Sequence, residues 1–201
     1  MTRLVHVKQE IYAHEYLWRS STFLLEKAKA EKETFHLLLP SLLMGFLAFE
    51  AFVNFCGVVL RPELWKEEKK NFKGKGIEGK LEAIAEKAPT FSWQKGQRPY
   101  QKIKKLEAFR DIVAHATVVA NHYDAEQQEG GRHFQYNHPW DEYLSVSAVE
   151  EARVDIKSFC ESLRVEMCKV SDHPHLLYDA FEGVLAHANG SSIDQQPDLL
   201  S

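Results

Sequence analysis

Cysteine is scarce in this chain of 201 residues: Cys56, Cys160 and Cys168 are odd in number and form no CxxC pair. That argues against a disulfide framework and a thiolate zinc site, and it suits a reducing compartment. Residues 1–10 lack the apolar core of a secretory signal, so a cytoplasmic location is expected. Internal repeats and low-complexity blocks are also missing. A strong charge of one sign is absent too; the formal net charge of −4 excludes a uniformly basic nucleic-acid glove.

What is present is the balance of a globular protein, 44% apolar and 27% charged. A chain of this length buries about 70% of its unfolded surface, so it needs neither disulfides nor a metal to fold. Its charge is unevenly spread. Residues 61–110 hold fourteen Lys and Arg against seven acids, and residues 111–201 hold five against sixteen. A basic middle segment is suited to phosphate, although from charge alone a solvated surface without a partner is the favoured explanation.

Helical spacing dominates. Ile11, Leu17, Leu24, Leu25 and Ala28 recur through residues 9–33 with neither Gly nor Pro between them, which predicts a helix. Pro40 is suited to the first turn of a second helix, the apolar run 41–60. Further helices are expected at 77–88, at 99–113 after Pro99, at 148–170 and at 176–187. Residues 117–147 break the pattern with Thr117, Val118, Val119, Gly130-Gly131 and several aromatics, the marks of a β-hairpin or ordered loop. The expected fold is all-α, an up-and-down helical bundle with a small insertion at about 117–147. It forms a single domain, 1–188, followed by a flexible polar tail, 189–201.

The apolar run 41–60 is long enough to span a bilayer. Glu50 lies at its midpoint, however, where a carboxylate costs about 2.5–3.5 kcal/mol even on the lenient insertion scale. Asn54 follows one turn later on the same face. A central bundle helix accounts for the same run and gives both polar groups something to face, so no membrane association is expected. A membrane-associated helical protein is the third-ranked reading.

The segment Lys102 to Ala116 reads KIKKLEAFRDIVAHA. Ile103, Leu106, Phe109 and Val113 form one apolar arc, and Arg110 falls inside it. Asp111 and His115 lie together on the polar side with Lys104. A guanidinium on a core-facing stripe needs an anionic partner. Glu50, the one acid of the apolar run, is the expected partner. Arg110 and His115 are about 140° apart around an ideal helix, so one substrate reaches both only if the long Arg bends round or the helix ends near His115. The same residues also suit a structural salt bridge and a helix cap.

The string Arg110-Asp111-Ile112-Val113-Ala114-His115 resembles the R-x4-6-H signature of the HEPN superfamily, helical domains many of which are RNases. LAFEAFVNF (47–55) is similar to that family's central helix, with its acid and Asn at this spacing. IEGKLEAI (77–84) and VEEARVDIKSFCESL (149–163) resemble the helices before and after the motif. The resemblance covers roughly residues 9–169 in outline. It implies a metal-independent endoribonuclease with no cofactor, in which Arg110 and His115 are catalytic and Asp111, Glu50 and Asn54 support them. Lys102, Lys104 and Lys105 would hold the RNA backbone. His supplies acid or base near neutral pH, and Arg offers a bidentate fork to phosphate. One His per chain implies a homodimer that brings two motifs to one cleft. A toxin–antitoxin or phage-defence role, with an antitoxin protein as partner, follows from the family. The alternative is a non-catalytic interaction or nucleotide-binding module of the same superfamily.

Other histidines read as structural. Pro174 makes Asp172-His173-Pro174-His175 a helix cap rather than a metal site. His122, His133 and His138 read as polar faces of the insertion rather than zinc ligands.

Overall fold

The computed structural model describes residues 5–31, 35–115 and 140–192. These form an all-α bundle: seven α-helices, two 3-10 turns and one two-stranded sheet. The sheet joins the two ends of the described chain. Strand β1 (Val5–Ile11) runs antiparallel to β2 (Ala186–Ser192), with Val5 opposite Ser192 and Ile11 opposite Ala186. One further bond, Tyr12 N–H to the Leu185 carbonyl at 3.0 Å, extends the ladder inward.

This sheet corrects three expectations. The helix expected from Gln9 begins at Ala13, because Val5, Val7 and Ile11 follow a period of two and the ladder takes them first. The helix expected at 176–187 is a single 3-10 turn, Pro174–Leu177, followed by irregular chain and β2. Phe181 there has φ 69°, a left-handed conformation that no α-helix continues through. Asn189 to Ser192, expected in the polar tail, belong to β2, and the rest of that tail lies outside the described residues.

Helices α1 (Ala13–Ala30) and α2 (Phe35–Leu60) pack along each other. Ser21 Oγ donates to the Ser41 carbonyl at 2.7 Å, and Ser41 Oγ donates to the Ser21 carbonyl at 2.8 Å. Two buried hydroxyls are thereby satisfied, and the helices are pinned in register. Helix α2 begins at Phe35, six residues before the expected run, and carries Pro40 inside it. It is the bundle's axis, touching α1, α3 (Pro62–Trp65), α5 (Gly76–Ala85), α6 (Tyr100–Ala114) and α7 (Val146–Met167). Leu42, Phe46, Phe49, Val53 and Cys56 on it are at most 1% exposed. It is long and apolar enough to cross a membrane, with mean hydropathy 2.0, and half of that apolar window is buried by the other helices.

After α2 the chain turns sharply. Trp65 of α3 lies so close to Gly57 that a Cβ there would fall 2.1 Å from the indole ring. A glycine is needed at that position for the turn to close. The short α4 (Glu68–Asn71) follows, then α5 and α6. Helix α6 buries Tyr100, Ile103, Leu106 and Phe109 along one stripe against α2 and α7. Helix α7 starts at Val146, where Ser145 Oγ caps it by accepting the Ala148 N–H at 3.1 Å. The hairpin expected at 117–147 falls mostly on 116–139, outside the described residues. Its last part is the 3-10 turn Asp141–Tyr143 and the start of α7.

Candidate functional site

Two gatherings of titratable side chains among the described residues bear on function. The first is the pair foreseen from sequence. Arg110, in the last turns of α6, donates from Nη2 to Glu50 Oε1 at 2.8 Å. Its Nη1 lies 3.1 Å from Asp111 Oδ1, and its guanidinium carbon sits 5.8 Å from the Phe46 ring centroid. The pair lies in the wall of the bundle rather than its centre, with side chains 27% and 24% exposed. Burial pushes the Glu50 carboxyl above the usual carboxylate range, against the pull of Arg110 and then Lys80. Arg110 Nε is buried with no hydrogen-bond partner among the described residues.

His115 terminates α6, its N–H bonded to the Asp111 carbonyl at 2.9 Å, and its side chain is exposed. The expected condition, a helix ending at the histidine, is met. Asn54 is turned to another task. Its Oδ1 accepts from Trp65 Nε1 at 3.2 Å and from Lys80 Nζ at 2.8 Å, and Lys80 also pairs with Glu68. Asn54 therefore ties α3 and α5 to α2, and Lys80 carries its influence to Glu50 as charge. Lys104 and Lys105 are exposed, Lys104 pairing with Glu107, and Lys102 is half-buried.

The second place was not foreseen. His14 and Glu15, at the start of α1, meet His175 from the 3-10 turn after α7, and all three are 1–4% exposed. The two Nε2 atoms are 3.1 Å apart; Glu15 Oε1 lies 3.4 Å from His175 Nε2 and 3.9 Å from His14 Nε2. The same Oε1 accepts the Gly183 N–H at 2.8 Å. Tyr12 stacks on the His175 ring at 3.7 Å. Burial, then the neighbouring His175, pushes the His14 imidazole down to about 3. Beside the cluster opens a groove of about 380 Å³, lined by Glu10, Tyr12, His14, Asn54, Phe55 and His173 among others.

The sequence signal nearest to this cluster was Asp172-His173-Pro174-His175. The cap reading holds for His173, whose Nδ1 accepts the His175 N–H at 3.3 Å. His175 itself points to a partner 161 residues away, beyond any local spacing.

No protein-family model, no curated protein and no solved structure matches this chain.

Proposed function

We propose that the chain is a metal-independent endoribonuclease of the HEPN type, with Arg110 and His115 as its catalytic residues. The observation that carries this reading is the Arg110–Glu50 ion pair beside a helix that ends at an exposed histidine. Glu50 holds the guanidinium at the wall of the bundle, where about a quarter of the Arg110 side chain faces solvent. A guanidinium in that position can receive a phosphate without crossing the core. The RNA 2′-OH gives its proton to a base and attacks the adjacent phosphorus. The P–O5′ bond breaks, and the 5′-oxygen takes a proton from an acid. His115 serves one of these proton transfers and the His115 of a second copy serves the other, which requires a two-fold dimer. Arg110 stabilises the phosphoryl oxygens, and the exposed Lys104 and Lys105 hold the backbone. The setting is cytoplasmic, with an antitoxin as the controlling partner.

The test is cleavage of RNA by purified protein and by His115→Ala. Expected are 2′,3′-cyclic phosphate and 5′-hydroxyl ends, full activity in EDTA, and a loss of about 10²–10⁴-fold in His115→Ala. Sedimentation should give a dimer. Undiminished cleavage by His115→Ala, or a monomer that cuts, overturns the assignment.

The second reading, a non-catalytic module, is favoured by the engagement of both Arg110 Nη atoms with Glu50 and Asp111. On that reading neither protein cuts RNA, and expressing either leaves cell growth unchanged.

A further inference from the structure

The His14–Glu15–His175 cluster has the donor set and the spacing of a metal site, and it owes nothing to the Arg110 pair. An ion about 2.0–2.2 Å from each of its ligands requires donor atoms about 3–4 Å apart. The three separations are 3.1, 3.4 and 3.9 Å. A hydrogen bond between the imidazoles explains only the first of them. It also leaves Glu15 Oε2 and His175 Nδ1 buried without a partner among the described residues. A buried carboxylate oxygen with no donor is costly, and a cation at Oε1 and Oε2 removes that cost.

The surroundings favour the same arrangement. Gly183 N–H fixes Glu15 Oε1 from outside, as the outer contacts of metal ligands commonly do. A Cβ on Gly183 would fall 2.5 Å from His175 Cε1 and 2.9 Å from Glu15 Oε1, so the chain passes directly over the cluster. Phe181 keeps its left-handed backbone there, its ring stacked on Trp18 at 4.3 Å. Strain of that kind persists where the surrounding contacts demand one path.

We infer that His14 Nε2, His175 Nε2 and the Glu15 carboxylate bind one divalent first-row transition ion, of which zinc is the best match. Two imidazoles and a carboxylate suit zinc and its neighbours and disfavour magnesium or calcium, which prefer all-oxygen shells. The ion joins the start of α1 to the segment that follows α7.

The full chain, stripped with EDTA and dialysed, is titrated with Zn²⁺, and with Co²⁺ as a visible probe. One equivalent should bind. At 100-fold excess over Kd the melting temperature should rise by about 5–10 °C. Glu15→Gln and His14→Gln should each weaken binding by about 100-fold or more, while His36→Ala, which removes an exposed imidazole on α2, should leave it unchanged. Folded wild-type protein that binds no Zn²⁺ overturns the inference. So does equal affinity in the Glu15→Gln variant, which would put the ion on surface imidazoles. Should a variant fail to fold, X-ray absorption of the wild-type zinc complex decides: two imidazoles with oxygen support the site, and any sulfur ligand rejects it.

Discussion

The Arg110–Glu50 pair and the His14–Glu15–His175 cluster handle buried polarity in opposite ways. The first joins two full charges at the bundle wall, each a quarter exposed, and lets water share the cost. The second sits at 1–4% exposure, where burial and the neighbouring His175 push the His14 imidazole down to about 3. The lesson concerns solvation. An ion pair tolerates a half-wet site because its partners neutralise each other, whereas a dry cluster of bases needs either neutrality or a cation from outside.

The two sites should therefore answer acid with opposite signs, and that is the largest effect expected. In metal-free protein, unfolded His14 takes a proton near 6.5 and the native ring resists until about 3. The unfolded state binds more protons in that window, so stability is lost as pH falls through it. The loss is about 2 kcal/mol by pH 5 and about 4 kcal/mol by pH 3. Glu50 has its carboxyl raised, so its native form binds the proton more readily. Its contribution is fully present below the ordinary carboxylate value and declines as pH rises through the native one. Denaturant melts from pH 7 to pH 4, with and without His14→Gln, separate the two; a wild-type profile that is flat from 6.5 to 4 would break the contrast.

Next in size is Glu50→Ala, which strands Arg110. A fully buried pair costs about 3–5 kcal/mol when broken, and the exposure here reduces that to about 2–3 kcal/mol. Chemical denaturation measures it, and a change below 0.5 kcal/mol would show that water alone satisfies the guanidinium. Asn54→Ala should cost about 1–2 kcal/mol by leaving Trp65 Nε1 without its acceptor and Lys80 with Glu68 alone. It should also leave RNA cleavage in place, since Asn54 does not touch Arg110. Smallest is Lys105→Ala, within about 0.5 kcal/mol for stability. In a salt titration of RNA binding it should lower the slope by about one. An unchanged slope would remove Lys105 from the proposed RNA surface.

How much of this was legible differs between the two sites for a physical reason. Helical periodicity located α1, α2, α5, α6 and α7 to within a few residues, because each buries a stripe that recurs every three to four positions. Glu50 and Arg110 each stood out as a lone charge on such a stripe, and charges of opposite sign identify each other at any separation. His14 and Glu15 offer no such contrast, since polar residues within the helix expected over 9–33 do not stand out from its solvent face. The strands were hidden for a related reason. Seven-residue segments with few apolar side chains give a weak alternating signal, and pairing across about 180 residues is a tertiary fact. Asn54 was placed on the correct face, but its partner Trp65 came from α3, a four-residue helix too short to show periodicity.

The antiparallel ladder has a mechanical consequence. Val5 and Ser192 face each other at its outer end, so a force separating those residues loads one rung at a time rather than all seven together. The sheet is a zipper, opening from Val5–Ser192 towards Ile11–Ala186. The last backbone tooth is Tyr12 to Leu185, and the next contacts along the path are the Gly183–Glu15 bond and the paired imidazoles. Amide exchange along β1 should thus form a ramp, fastest at the outer rungs and slowest beside the histidines. Zinc should steepen that ramp from its inner end, acting as the stop at the bottom of the zipper.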